Sequence, residues 1–343
     1  MTRLTLRGGT GPCRILAGEA FQNLGAYCRK SRTILVADRR VFDLHRRLFV
    51  GWEVLVAGRG ESLKTLGLVE KMIKAFLRRG VDRETTVVAV GGGALCDVTG
   101  LASSLYMRGL RLGLAPTTLL AQVDAAVGGK NGVNVGGYKN LAGTIRQPDF
   151  VLVDPRFLKT LPPREIRNGL AEVVKAAAIA DLGLVRFLER NASSAIGLDP
   201  TVIGRLVVRS LRIKVRIVES DELEAGPRRL LNFGHTLGHA LERGAGFSHG
   251  EAVAVGMAAA ARLSARLGTI SRSDADRLIR LIGDLGLPTA APRASKRALA
   301  ALDGDKKSSG RDIRFVVLHG GLGRAKVLTL PKDELKEALH AVC

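Results

Sequence analysis

Thr85-Thr86-Val87-Val88-Ala89-Val90 runs directly into Gly91-Gly92-Gly93-Ala94-Leu95-Cys96-Asp97. The first six residues are β-branched or small without interruption, which predicts a strand buried on both faces. Glycines placed right after such a strand let backbone N–H groups approach a pyrophosphate. A helix starting there adds a favourable field for its negative charge. The run is not a full G-x-G-x-x-G, and a plain tight turn fits these residues equally well. Its surroundings extend the pattern. Arg32–Asp38 predicts a buried strand ending in an acidic residue, and Val54–Gly58 predicts another. Behind Glu61 and Lys64, the residues Leu66, Val69, Met72, Ile73 and Phe76 recur at helical spacing. Arg111–Ala115 gives a short strand ending at Pro116-Thr117-Thr118, and Phe150–Asp154 gives the last strand of this half. Strands alternating with helices predict an α/β, Rossmann-like nucleotide-binding domain over residues 1–158.

Residues 122–140, including Gln122, Asp124, Lys130, Asn131, Asn134, Lys139 and Asn140, are polar and glycine-rich without repetition. They predict a long functional loop suited to a phosphate and several hydroxyls. Past Leu161-Pro162-Pro163 the pattern becomes helix after helix, which places a mainly α-helical, metal-binding domain over 159–343. Pro163 can open its first helix. That helix carries Glu172 and Lys175 three residues apart within an apolar run, where a carboxylate must face water or have a partner. A later helix, near Thr201–Ser220, carries Lys214; Gly250–Leu267 is Ala-rich, and Ser271 can cap the helix after it. Ile313–Leu318 and Lys326–Leu330 predict a hairpin, followed by an amphipathic helix from Pro331.

Three of the six histidines lie in one stretch, as His235, His239 and His249. The first two share a helix face, and the turn containing Gly244 and Gly246 can fold the third back toward it. Imidazoles so placed suit a borderline divalent metal with one more ligand from elsewhere. A His-Glu-x-x-His hydrolase motif is excluded, because Thr236 stands where its Glu belongs.

The bulk numbers narrow the class. A chain of 343 residues, 46% hydrophobic, is long enough for two domains with separate cores. Four scattered cysteines, no apolar run of membrane length and no secretory leader in the first residues predict a soluble cytoplasmic protein with reduced thiols. The formal charge of +21 raises nucleic acid as a partner. The cations are spread over every expected helix, and aromatics make up only 4%, so specific nucleic-acid binding is not expected.

Several motifs in order resemble the dehydroquinate synthases of the sugar phosphate cyclase family, from about Asp38 to Lys307. They are Gly91-Gly92-Gly93 with Asp97; Tyr106-Met107-Arg108-Gly109; Pro116 through Asp124; Gly169-Leu170-Ala171-Glu172-Val173-Val174-Lys175; and Asn232-Phe233-Gly234-His235. The resemblance implies zinc or cobalt held by Glu172, His235 and His249, with His239 released to substrate. It implies NAD bound by Asp38, Glu61, Lys64, the turn Gly92, Gly93, Ala94, Leu95, Cys96 and Asp97, then Thr117, Thr118, Lys130, Lys139, Phe157, Leu158, Lys159 and Thr160. The implied substrate is a phosphorylated sugar acid, 3-deoxy-D-arabino-heptulosonate 7-phosphate. Arg108, Lys130, Asn140, Lys175, Lys214, Arg228, Asn232, His239 and the Lys306/Lys307 pair would hold it, with Asp124 positioning the ring. A homodimer is also implied.

In that family NAD oxidises a hydroxyl transiently, phosphate leaves by β-elimination, the hydride returns, and the ring closes by an aldol step. The substrate phosphate can take the proton itself, which accords with the lack of an obvious carboxylate base. Arg40, Asn131 and Ala176-Ala177 depart from the usual residues. A sister cyclase is therefore an alternative, although Arg228, Asn232 and His239 keep the dehydroquinate type. A metal- and NAD-dependent polyol dehydrogenase is the other alternative; it would not need the set of cations.

Overall fold

The computed structural model describes residues 1–291 and 312–343, and of residues 243–245 the backbone alone. The chain divides into two compact units: Met1–Pro162 with Lys214–Leu223, and Pro163–Ile213 with Glu224–Cys343. The changeover at Pro162/Pro163 lies a few residues beyond the expected 158/159. The return segment Lys214–Leu223 was not foreseen, because one uninterrupted helical pattern runs through it.

In the first unit, β1 (Thr2–Gly8) and β2 (Gly11–Ala17) form an antiparallel hairpin. After it come β3 (Thr33–Asp38), α1 (Arg39–Leu44), β4 (Glu53–Ala57), α2 (Leu66–Arg78), β5 (Thr86–Gly91), α3 (Gly93–Leu105) and β6 (Arg111–Pro116). A second hairpin, β7 (Lys130–Val135) with β8 (Tyr138–Ile145), precedes β9 (Phe150–Val153). The seven-stranded sheet has the order β1-β2-β9-β6-β5-β3-β4 and is parallel except at β1.

Successive residues of β3 and β5 feed opposite faces, as the period of two requires. Ile34, Val36 and Val87 pack on one side with Met72 and Phe76 of α2 and Val98 of α3. Leu35, Ala37, Val88 and Val90 pack on the other with Phe21, Phe49 and Phe157. Burial on both faces explains why these strands read as unbroken apolar runs.

The expected loop at 122–140 is largely the β7–β8 hairpin. Gly136 and Gly137 both take positive φ, 58° and 80°, as a tight two-residue hairpin turn demands. Asn131, one of the departures from the family pattern, is structural. Its amide donates to the carbonyls of Gly129 (2.8 Å) and Arg146 (3.1 Å), and its side chain fills the space that a Cβ at Gly100 would need.

The second unit contains α4 (Pro163–Ala180), α5 (Leu182–Ile196), the first turns of α6 (Pro200–Ser220), α7 (His235–Ala245), α8 (His249–Arg266) and α9 (Arg272–Asp284). The hairpin β10 (Asp312–Leu318) with β11 (Ala325–Pro331) and α10 (Lys332–His340) complete the described part. Ala-rich α8 is its axis, buried from Ala252 to Ala261 and packed on α4, α7, α9, β10 and α10. As expected, the Ser271 hydroxyl caps α9, accepting from the Asp274 amide at 3.1 Å. No described helix is long and apolar enough to cross a membrane.

Candidate active site

The sheet order reverses between β3 and β5: β4 lies on one side of β3, and β5, β6 and β9 lie on the other. The carboxyl ends of strands at such a switch point form the ligand crevice of open α/β sheets. Asp38 ends β3 there, and its carboxylate caps α1 by accepting from the amides of Arg40 (2.8 Å) and Val41 (3.2 Å). Gly91, which ends β5, and Gly92 and Gly93 after it are each hemmed in. A Cβ on Gly91 would lie 3.2 Å from that of Asp38, one on Gly92 3.1 Å from the Thr118 methyl, and one on Gly93 3.1 Å from Ala125. No side chain caps the start of α3, so its first amides are left to a ligand or water.

Beside that helix the Lys64 ammonium, 4% exposed, contacts both the Asp97 carboxylate and the Asn140 side-chain oxygen. Burial pushes the Asp97 carboxyl up to about 6, although Lys64 pulls it the other way. Asn134 ties the network together, donating to Glu61 at 3.0 Å and accepting from the Asn140 amide at 2.9 Å. Asn140 is left-handed, with φ 53°. Asp124, in the turn after β6, pairs with Lys214. Thr117 is buried, and Thr118 accepts from the Ala121 amide at 3.2 Å. Phe157 and Leu158 are core residues, whereas Lys159, Thr160, Lys130 and Lys139 are exposed. Met107 (φ 48°) and Arg108 (φ 64°) are consecutive left-handed non-glycine residues, costing roughly 1–3 kcal/mol each. Arg146 buttresses this turn through the carbonyls of Ser103 and Leu110, and Arg108 is exposed.

In the second unit, α7 and α8 cross at backbone distance. A Cβ on Gly238 would lie 3.0 Å from the Ala252 carbonyl, and one on Gly256 would collide with the Gly234 carbonyl. Gly234, with φ 77°, starts α7, and Gly246, with φ 70°, ends it, turning the chain into α8. The start of α8 sits equally close to α4: the Ser248 hydroxyl donates to Asn168 at 2.7 Å, and a Cβ on Gly250 would strike the Asn168 backbone. These contacts converge His235, His249 and Glu172. The Glu172 Oε1 lies 3.5 Å from His235 Nε2 and 3.3 Å from His249 Nε2.

Glu172 is 2% exposed, and an uncompensated carboxylate there would cost several kcal/mol. The Lys175 ammonium, one turn on, contacts it. Burial opposes the Glu172 charge, but Lys175 and His235 outweigh it and hold the carboxyl well below its usual range. Burial drives the His235 pKa well below its usual value, which keeps an imidazole lone pair available. Burial also disfavours charge on His249, but the neighbouring Glu172 and Glu242 carboxylates lift it to about 9. The ligand atoms of Glu172, His235 and His249 all lie within 4.8 Å of one another. Two imidazole nitrogens and one carboxylate oxygen form the donor set of a catalytic zinc or cobalt site with a position left for substrate.

A family model described as 3-dehydroquinate synthase N-terminal matches residues 54–168, and one described as 3-dehydroquinate synthase C-terminal matches 169–308. The chain belongs to the 3-dehydroquinate synthase family. It is 39% identical to the 3-dehydroquinate synthase of Pelobacter propionicus over 98% of both chains. It is 41% identical to that of Bordetella pertussis over 82% of this chain and 79% of the relative. Among solved structures, 2-deoxy-scyllo-inosose synthase complexed with carbaglucose-6-phosphate, NAD+ and Co2+ superposes with a TM-score of 0.89 at 26% identity, covering both chains fully. The 2-epi-5-epi-valiolone synthase of Streptomyces hygroscopicus, with NAD+ and Zn2+ bound, gives 0.86 at 28% over 96% of each. A probable glycerol dehydrogenase from Sinorhizobium meliloti, at 18% identity and a TM-score of 0.67, shares the fold.

The remaining family-type residues of the second unit surround the trio or pack on α4. Exposed His239 has its ring 5.5 Å from that of His235. Arg228, 2% exposed, lies on the short turn Pro227–Asn232 that packs against α4. Asn232 donates to Glu224 at 2.7 Å. Lys306 and Lys307 lie outside the described residues. Two polar residues close to the trio went unread in the sequence: Asn168 and Glu242. Of these Glu242 carried a signal, since it continues the His235, His239 stripe at helical spacing.

Proposed function

We propose that this protein is a 3-dehydroquinate synthase that converts 3-deoxy-D-arabino-heptulosonate 7-phosphate to 3-dehydroquinate and phosphate, using NAD and a divalent zinc or cobalt ion. Near-full-length identity to curated synthases supports the activity, and the meeting of Glu172, His235 and His249 is the structural observation that carries it. Glu172, His235 and His249 would hold the ion. The Gly92–Asp97 turn, Asp38, Glu61, Lys64, Thr117, Thr118, Lys139 and residues 157–160 would hold the dinucleotide. When bound, the dinucleotide supplies a reversible hydride acceptor, and the ion supplies a Lewis acid for the oxidised carbon's oxygen.

The chain's own residues do the rest. Arg108, Lys130, Asn140 and Lys214 in the first unit, and Lys175, Arg228, Asn232 and His239 in the second, offer the cations and amides that a phosphate and a carboxylate require. Binding energy on the phosphate is thereby directed to its expulsion. Asp124, held by Lys214, orients the ring. Lys175 keeps Glu172 ionised and so fit for a metal. No carboxylate is assigned as base; the departing phosphate takes the proton itself. A homodimer in the cytoplasm completes the reading.

The test supplies the heptulosonate phosphate with NAD far below its concentration. The expected result is stoichiometric inorganic phosphate and carbocycle without net NADH. Steady NADH accumulation with polyols, and no phosphate release, would replace this reading by a dehydrogenase.

A further inference from the structure

The two histidines of the trio are oriented alike. His235 presents Nε2 to Glu172, and its Nδ1 lies 3.2 Å from the Phe233 carbonyl. His249 presents Nε2 to the same oxygen, and its Nδ1 lies 3.7 Å from Glu242 Oε2. A neutral imidazole carries one N–H and one lone pair, and an acceptor beside Nδ1 draws the proton there. For His235 a backbone carbonyl fills that role, fixed by the chain's own turn. For His249 the acceptor is a side chain from another helix, α7, with Glu242 11% exposed beside the ring.

We infer that Glu242 is a positioning residue for the metal centre: its carboxylate accepts the Nδ1–H of His249 and leaves Nε2 as the lone pair facing Glu172. The inference rests on the metal-centre reading above. It also decides between the ring's two edges. The ligand atoms of His239, Glu242 and His249 lie within 4.8 Å of one another as well, so an ion could bind on the Nδ1 side. One neutral ring cannot offer both nitrogens, and Glu242 as acceptor commits it to the Glu172 side. An anionic acceptor also makes the imidazole a better donor than a carbonyl does.

Metal-stripped protein is titrated with Co2+ alone against a competing chelator, with far-UV circular dichroism reporting the fold. Wild type is expected to bind one equivalent. Glu242→Ala should bind about 10–100-fold more weakly, at unchanged stoichiometry. Glu242→Gln, whose amide oxygen still accepts Nδ1–H, should recover most of that loss, which a purely structural role would not explain. His239→Ala should keep the wild-type affinity. Equal affinity in Glu242→Ala and wild type would overturn the inference. So would parallel losses in Glu242→Ala and His239→Ala, because they would put the ion on the other edge. If Glu242→Ala does not fold, zinc-loaded wild type labelled with 15N-histidine decides: a proton on Nδ1 of His249 supports the inference, and an ion on Nδ1 sinks it. Wild type that binds no Co2+ would instead refute the metal centre itself.

Discussion

The proposed metal trio and the proposed nucleotide end are built by opposite means. At the trio, positioning is done by backbone: glycines 234, 238, 250 and 256 let α7, α8 and α4 approach until three short polar side chains converge in a buried setting. At the end of β3 and β5, positioning is done by side chains, through the chain of Glu61, Asn134, Asn140, Lys64 and Asp97. Of these, Glu61 and Asn140 are exposed. The backbone contacts suit a metal centre, whose geometry must be set before the ligand arrives.

The most severe break is at the trio. His249→Ala should lose bound metal and activity together, a fall of roughly 10³-fold or more, while far-UV dichroism stays native. Metal analysis and phosphate release check both, and retained metal with lost turnover would separate His249 from the ion.

Gly256→Val tests the backbone half of the contrast. Its Cβ has nowhere to go against Gly234, so a loss of about 3 kcal/mol is expected, with weakened metal binding. Gly204→Ala in α6 is the control: a Cβ there meets nothing within 4 Å, and a gain of about 0.4–1 kcal/mol is expected. Denaturant unfolding measures both; equal effects would mean that the close crossing is not what holds the site.

Lys64→Met tests the side-chain half. Losing a charge-assisted contact of about 1.5–3 kcal/mol should raise the NAD requirement roughly 10–100-fold and leave metal content alone. The Asp97 carboxyl, already lifted to about 6 by burial, should rise further without its cation. A changed metal content would contradict a role for Lys64 confined to the dinucleotide.

The smallest effect concerns pH. The Glu251 carboxyl at the start of α8 is held at about 2, chiefly by hydrogen bonds from Arg164. Against an unfolded value of about 4.3, a depressed carboxyl stabilises fully above roughly pH 5, and its contribution is lost as pH falls toward 2. Because Arg164 is exposed, the contribution is screened and stays below about 1 kcal/mol. Thermal unfolding from pH 6 to 3 should fall less steeply for Arg164→Ala than for wild type.

The same contrast governs what could be read in advance. The buried strands, the Pro163 and Ser271 helix starts and the histidine helix were legible because apolar period, caps and spacing are local. So was the grouping of His235 and His249, since a glycine turn separates them by little more than one reversal of chain. Apart from the family motif, Glu172 was marked by its apolar company alone, because the histidines it meets lie on other helices. The β7–β8 hairpin was hidden by its polar, glycine-rich composition, whose Gly136-Gly137 turn is the sole strand cue. The return of Lys214–Leu223 to the first unit was illegible, since the helix does not break where its allegiance changes. Asn140 drew notice as a substrate group; its left-handed conformation and its contact with Lys64 needed the fold.

An anomalous-diffraction crystal structure of the zinc-loaded protein locates the ion. One ion is expected at about 2.0–2.2 Å from Glu172 oxygen and from Nε2 of both His235 and His249, with Nδ1 of His249 turned to Glu242. An ion bound instead by His239, Glu242 and Nδ1 of His249, with Glu172 left to Lys175, would contradict it.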